Sequence, residues 1–571
     1  METYPNWPNL ASMMLTLARD WSRKKLLRSF RNGTWESISW GEFGRMAASC
    51  ARGLRAAGVT TGERVMIVSE NRPEYLIAET ALMAIGAIPV SGYTTNTMND
   101  HAHLLRDSGA RAVIVSTAAL AGRLQEAAQS AGGIDLLIVM ERPEEATGGA
   151  VRHMSWQDLI ADDAGLDDIA EEAGAIPATA LACLIYTSGT GGTPKGVMLP
   201  HRSILSNCRG AFELLRPLRL KDEIYLSYLP ISHSYEHTVG QYFLPSIGTE
   251  IVYSRGAEHL ASDMLTVRPT IMTVVPRVLE VIRSRVLTQA GRASPLRQRL
   301  FHRAMEIGFK RLDSVHPTFT DRLLDPVLDY LVRGRIRARF GGRLVAACSG
   351  GARLEPDVGR FFLALGLKIL QGYGLTEAGP IISANPPDMI RIETVGRPLE
   401  GVDLRIAGDG EVLVRGDLVM DGYWGRPEDT ATVIRDGWLH TGDIGLLDDD
   451  GYLSITDRKK DIIVLSGGEN VSPAKIEGML MAEPEIAQAV IAGDGRAGLI
   501  ALVVPADGYD DVAAALAVNR TNMRLSITER LRKHAIVPRF TLENGLLTPT
   551  HKIRRMLVIR ANAKTLAELH G

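Results

Sequence analysis

The sequence predicts an α/β protein in two parts, and three observations predict it. Over roughly the first 180 residues, short β-branched runs alternate with stretches of helical apolar spacing. A chain of 571 residues is too long for one compact core. The texture also changes at the charged junction Asp457-Arg458-Lys459-Lys460-Asp461, which leaves about 110 residues beyond it.

Taken in order, Phe43 to Ala57 has helical spacing, Arg64 to Val68 reads as a strand and Tyr75 to Ile85 as another helix. Arg111 to Val115 and Asp135 to Met140 repeat the strand signal. Strands of this kind are covered on both faces and present ligand groups at their carboxyl ends. From Arg292 to Arg343 the chain turns helix-rich and basic, with 12 Arg/Lys against 5 Asp/Glu, and Arg333, Arg335, Arg337 and Arg339 alternate along it. Such a cluster is expected to be a solvated face; an anionic membrane surface or the phosphates of coenzyme A are its functional alternatives. Beyond the junction, Glu485 to Ala492, Leu499 to Pro505 and Asp510 to Ala517 alternate strand and helix signals, and the junction itself reads as a pivot.

Composition excludes several classes. A formal net charge of -2 and the lack of a nucleic-acid motif argue against nucleic acid as a partner. Cys50, Cys183, Cys208 and Cys348 are far apart and form no CxxC pair, so they are expected to be reduced and mostly buried. With no secretory signal and no run of 18 apolar residues, the expected location is cytoplasmic, with peripheral contact at the inner face of a membrane left open.

The most informative run is Tyr186-Thr187-Ser188-Gly189-Thr190-Gly191-Gly192-Thr193-Pro194-Lys195-Gly196, directly after the apolar Leu181 to Ile185. Glycines let a backbone approach closely, and hydroxyls and N–H groups donate to anionic oxygens, so the run suits a loop around a polyphosphate. It is not the loop of kinases and GTPases, because Lys195 follows proline and precedes glycine. Further on, Ser349-Gly350-Gly351-Ala352 would let a flat ring approach the backbone. Gln371-Gly372-Tyr373-Gly374-Leu375-Thr376-Glu377 sets an aromatic ring, a hydroxyl and a carboxylate close together. Tyr373 suits stacking on adenine and Glu377 suits magnesium, which wants hard oxygen ligands. Asp443, after Gly442, suits the ribose hydroxyls, and Arg458 is a five-donor fork for ribose and phosphate oxygens.

Together these motifs resemble those of the adenylate-forming, AMP-binding superfamily, over nearly the whole chain and in the right order. The usual phosphate loop reads Tyr-Thr-Ser-Gly-Thr-Thr-Gly-x-Pro-Lys-Gly; here Gly191 stands where a threonine is common. The resemblance implies a large multi-sheet domain over residues 1–459 and a small mobile α/β domain over 460–571. It implies ATP, Mg2+ and coenzyme A as cofactors and substrates. Thr187, Ser188, Gly189, Thr190, Gly191, Gly192, Thr193 and Lys195 would hold phosphates, with Glu377 and Thr190 on the metal. Gly350, Gly351, Gln371, Gly372, Tyr373 and Gly374 would form the adenine pocket, Thr376 would contact the α-phosphate, and Asp443 and Arg458 would hold ribose. Lys460 falls at the hinge position, and Lys552, in Leu547-Thr548-Pro549-Thr550-His551-Lys552, at that of the catalytic lysine.

The acid is read from Leu229 to His237, where the resemblance makes His233 a residue of the acyl pocket and Glu236 a group that orients its neighbours. This segment, the ending Leu-Thr-Pro-Thr-x-Lys and the helical insertion before Ser349 all resemble long-chain fatty-acyl-CoA synthetases. The expected reaction is formation of an acyl-adenylate from a long-chain fatty acid, then transfer to coenzyme A. A medium-chain or aryl acid-CoA ligase and a fatty acyl-AMP ligase serving a carrier-protein thiol are the alternatives, and a homodimer is left open.

Overall fold

The computed structural model describes residues 3–141, 151–162, 165–187, 193–313, 318–467, 469–548 and 552–570. Two large sheets dominate the part before the junction. In the first, strands run in the spatial order Gly422–Tyr423, Lys195–Pro200, Leu181–Thr187, Ile88–Gly92, Arg64–Val68, Ala112–Val115, Leu136–Val139 and Arg152–Ser155. From Leu181–Thr187 onward its neighbours are parallel, and the two strands at the other edge are antiparallel. The second sheet is parallel from Lys368–Gly374 through Ala346–Ser349, Ile271–Val274, Ile224–Ser227 and Glu250–Tyr253 to Lys25–Arg31, with antiparallel strands at each end. A third, antiparallel sheet holds Asp403–Ile406, Glu411–Arg415, Trp438–Leu447, Ile434–Arg435 and Leu453–Arg458.

Side chains alternate across a strand, so a strand covered on both faces feeds two cores. Val65 and Ile67 enter the central core, while Met66 and Val68 enter the layer beneath. Tyr225 and Leu226 divide in the same way between the central core and the outer face of the second sheet. The central core also takes Val412 and Val414 of the third sheet, so one apolar cluster joins all three. Between the large sheets runs the helix Pro73–Ala84, buried on every side. A helix with no polar face has to be interior. Both of its carboxylates are partnered: Glu74 pairs with Arg31 and Arg72, and Glu79 is held by His237 at 2.8 Å and by the Tyr242 hydroxyl at 2.8 Å. The helix Trp40–Ala56 starts where the sequence supplies a capping box, Ser39 with Glu42.

Past the junction, a two-stranded ribbon, Ile463–Val464 with Asn470–Val471, precedes a sheet ordered Ile486–Ala492, Leu499–Pro505 and Leu531–Ile536. Ala489 and Ile491 face one small core, and Val490 and Ala492 face another.

Most expected elements appear within a few residues of their predicted bounds. Two expectations are revised. Asp457 and Arg458, read from the sequence as part of the charged junction, instead close the strand Leu453–Arg458, where Arg458 pairs with Asp443 across the sheet. The alternating arginines also do not share one solvated face. Arg333 is buried against Asp325 and Asp329, and Arg337 pairs with Asp329, whereas Arg335 and Arg339 stay exposed. A π-helical turn over Asp329–Arg333 alters the spacing there. The four cysteines are free, and all but Cys348 are buried. Among the described residues, no helix is long and apolar enough to cross a membrane.

Candidate active site

The phosphate loop is fixed at both ends. Leu181–Thr187 and Lys195–Pro200 pair antiparallel with Thr187 opposite Lys195, so the chain between them connects two adjacent strands. The kinase-type loop runs instead from a strand into a helix. Lys195 Nζ lies 3.0 Å from Asp429 Oδ2 and 5.0 Å from the centroid of the Tyr423 ring. The Tyr423 hydroxyl donates to Glu377 Oε1 at 2.9 Å, so one ring links the lysine after the loop to the candidate metal carboxylate. Pairing of Gly422–Tyr423 with Val197 and Met198 brings that ring into place. Ser188, Gly189, Thr190, Gly191 and Gly192 lie outside the described residues; Thr193 is described and exposed. Among the described residues no group of three or more His, Cys, Asp or Glu side chains is set to hold a metal. A lone carboxylate such as Glu377 still fits magnesium, which takes its other ligands from phosphate oxygens and water.

A second group forms where two parallel strands end. Ala346–Ser349 and Lys368–Gly374 place Ser349 opposite Gln371, with Gly350 and Gly351 immediately after the first strand and Gly372 and Tyr373 in the second. A Cβ on Gly374 would lie 1.8 Å from the carbonyl oxygen of Pro380, so only glycine fits; Gly351 has a φ of +79°. The Tyr373 hydroxyl donates to Asp443 Oδ2 at 2.7 Å, and Arg458 Nε lies 2.9 Å from Asp443 Oδ1. Asp443 and Arg458 are direct cross-strand partners. Asp443 is only 3% exposed; burial raises its carboxyl pKa, opposed by the Arg458 charge and the Tyr373 hydrogen bond. For Arg458 burial is the largest influence and works against the charge, yet Asp443, Tyr373, Glu377 and Asp461 together outweigh it and the guanidinium pKa rises. Gln371 Oε1 is buried without a hydrogen-bond partner. A buried acceptor left open is costly unless a ligand completes it.

Around His233 the chain is tightly held. The Tyr235 N–H donates to His233 Nδ1 at 3.2 Å, which leaves the ring proton on Nε2. Burial, and then the charge of Lys552, pull the His233 pKa down to about 3, so the ring is neutral over the working range. Ser234 Oγ and Thr376 Oγ1 are 2.9 Å apart, and the Tyr235 hydroxyl donates to the Cys348 carbonyl at 2.8 Å. Glu236 is fully buried and accepts from Tyr225 (2.5 Å), Ser227 (2.6 Å), Thr273 (3.0 Å) and Gln241 (3.2 Å). Burial pushes its carboxyl up to about 6 despite those donors. Four converging donors make it a group that orients the segment.

Lys552 comes from the far end of the chain. A bridge between Leu547 and Ile553, with Thr548 N–H to Lys552 O at 2.8 Å and Lys552 N–H to Thr548 Oγ1 at 3.0 Å, closes its loop; Pro549, Thr550 and His551 lie outside the described residues. The lysine is exposed to solvent. Lost solvation and the Arg458 charge lower its pKa, while Asp443 and Glu377 work against the shift. It therefore lies within electrostatic reach of both groups above and of His233. Lys459 is anchored to the third sheet, its N–H donating to Gly442 O at 2.8 Å and its Nζ binding Asp409 (2.6 Å) and Glu411 (3.0 Å). The next residue, Lys460, is exposed and has no ion pair among the described residues. Gly468 lies outside the described residues.

The structure thus links Lys195, Tyr373, Thr376, Glu377, Asp443, Arg458, His233 and Lys552 into one neighbourhood. Tyr423 and Ser234, which position Glu377 and Thr376, were not singled out from the sequence. The only local signal for Tyr423 is the aromatic pair Tyr423-Trp424 after Gly422.

Comparison with known proteins identifies the family and the fold. A family model described as AMP-binding enzyme matches residues 17–424, and one described as AMP-binding enzyme C-terminal domain matches 460–569. The long-chain-fatty-acid–CoA ligase FadD15 of Mycobacterium tuberculosis is 32% identical over 99% of this chain and 97% of its own length. Among solved structures, the anthranilate CoA ligase AuaEII with anthranoyl-AMP superposes with a TM-score of 0.76, at 20% identity and over 99% of each chain. The o-succinylbenzoate coenzyme A synthetase of Bacillus subtilis with ATP and magnesium does so with a TM-score of 0.70, at 19% identity and over 95% of this chain and 98% of its own.

Proposed function

The chain belongs to the AMP-binding, adenylate-forming enzymes, and from that premise we propose that it activates a long-chain fatty acid with ATP and passes the acyl group to coenzyme A. The observation that carries this reading is that Lys552 feels the charges of both the Asp443–Arg458–Tyr373 group, through Arg458 and Asp443, and the Glu377–Tyr423–Lys195 group, through Glu377. The first group suits a nucleoside and the second a polyphosphate, so an ATP spanning them would bring its α-phosphorus within reach of Lys552. The long-chain assignment is supported by the similarity to FadD15, and ATP with magnesium by the Bacillus synthetase.

The chemistry follows from charge. A fatty carboxylate is ionised near neutral pH and needs no base to attack the α-phosphorus. Attack forms the carboxyl-phosphate anhydride and expels pyrophosphate. Lys552 neutralises the charge gathering between the two anions, and its partial loss of solvation makes that contact stronger than in bulk water. Magnesium on Glu377 would neutralise charge on the leaving pyrophosphate. Asp443 takes the ribose hydroxyls, Arg458 spans ribose and phosphate, and the open Gln371 acceptor suits the adenine amino group. His233, neutral with its proton on Nε2, offers a hydrogen bond to the acid without competing for its charge. The thiol of coenzyme A then attacks the acyl carbon and AMP leaves.

Residues 1–459 and 460–571 act as two bodies in this reading, with Lys460, the first residue beyond the anchored Lys459, as the pivot. Incubation with oleate, ATP and magnesium but no coenzyme A should yield oleoyl-AMP, detectable by mass spectrometry. Its absence under conditions where other acids are adenylated would remove the long-chain assignment.

A further inference from the structure

The helix Phe319–Leu328 packs with its apolar side outward. Phe319 (77% exposed), Leu323 (62%) and Val327 (52%) line one stripe, with Leu324 beside it and Tyr330 (80%) just beyond the end. Its interior side carries Asp321, fully buried and held by Arg303 and Lys310, together with Leu328. Single exposed apolar side chains are ordinary, but a contiguous stripe marks an interaction surface.

The surrounding charge indicates what covers it. Between Arg292 and Arg343 all 5 acidic side chains are in ion pairs: Glu306, Asp313, Asp321, Asp325 and Asp329. Those pairs occupy Arg303, Lys310, Arg311, Arg333 and Arg337 of the 12 basic residues there, and the other 7, all arginines, stay exposed with no ion pair among the described residues. Arg322 lies on the apolar helix itself, and Arg335 and Arg339 follow one turn apart just beyond it. A groove of about 690 Å³ whose walls include Pro326, Tyr330, Arg335 and Arg337 adjoins the stripe. A second copy of the chain would bring the same positive field against itself, so charge disfavours self-association through this face.

We propose that the Phe319–Leu328 helix and its flanking arginines dock the protein on an anionic lipid surface. The apolar side chains enter the boundary between headgroups and acyl chains, and Arg322, Arg335 and Arg339 meet lipid phosphates. The proposal is independent of which acid the cleft activates.

Flotation of the full-length protein with phosphatidylcholine vesicles, with and without phosphatidylglycerol, tests it. Binding is expected only with phosphatidylglycerol and should weaken as salt rises. Arg335→Gln with Arg339→Gln should reduce the partition coefficient about thirtyfold, and Phe319→Ser with Leu323→Ser by about tenfold or more. All these side chains are exposed, so both double variants should melt at the parent temperature. Failure to bind anionic vesicles, equal binding to neutral ones, or binding that neither variant changes would overturn the proposal. So would a dimer in solution that Leu323→Glu converts to monomers, because the face would then belong to a second copy.

Discussion

At the residue scale, the role proposed for Lys552 predicts that the two half-reactions respond differently to its loss. Lys552→Ala should slow adenylation by about a hundredfold or more, the scale seen when one preorganised donor is lost, while sparing thioester formation from supplied acyl-AMP. Single-turnover rates of each half-reaction check this; an equal fall in both would contradict the role. The same lysine sets a pH dependence. It works as a cation and its pKa is lowered, first by lost solvation and then by Arg458, so activity is present below that pKa and fades above it. The alkaline limb of the adenylation profile should therefore begin below the ordinary lysine range, and Lys552→Arg should move it upward. His233, with a pKa of about 3, should add no step near the usual histidine value. Glu236→Ala should cost about 3 kcal/mol or more of stability, because the buried hydroxyls of Tyr225, Ser227 and Thr273 lose their shared acceptor. A thermal melt measures it.

At the scale of elements, the strand ends assemble the site, and this is also where the sequence is easiest and hardest to read. The strands Arg64–Val68 and Leu499–Pro505 are legible because β-branched runs buried on both faces need no partner to be recognised. Asp443 and Arg458 are legible as candidates, but their contact follows from a strand register that neither local pattern records. Tyr423 is harder still. Its link between Lys195 and Glu377 depends on a two-residue strand joining the edge of another sheet. The arginine run from Arg333 to Arg339 misleads for the same reason, since the acids that bury Arg333 and Arg337 lie eight residues earlier, past a π turn. The pivot is an element-scale claim too. Lys460→Pro fixes φ beside the anchored Lys459 and should impair thioester formation more than adenylation. Unchanged rates in both steps would sink the hinge assignment.

For the whole molecule, three sheets share one apolar core, so the residues before the junction form a stable base, and the segment carrying Lys552 is folded around its own small cores. That arrangement suits a reaction in which one lysine serves the first step and leaves for the second. The family and its general chemistry could be read from motif order and its resemblance, whereas acyl-chain preference is encoded by no motif. The most direct test is acid-dependent pyrophosphate release with ATP, magnesium and coenzyme A, using separate acids from acetate to oleate plus benzoate, with the thioester followed by mass spectrometry. A maximum among the long-chain acids, with acyl-CoA formed, is the predicted result. A maximum at acetate or benzoate, or acyl-AMP that never becomes thioester, would contradict it.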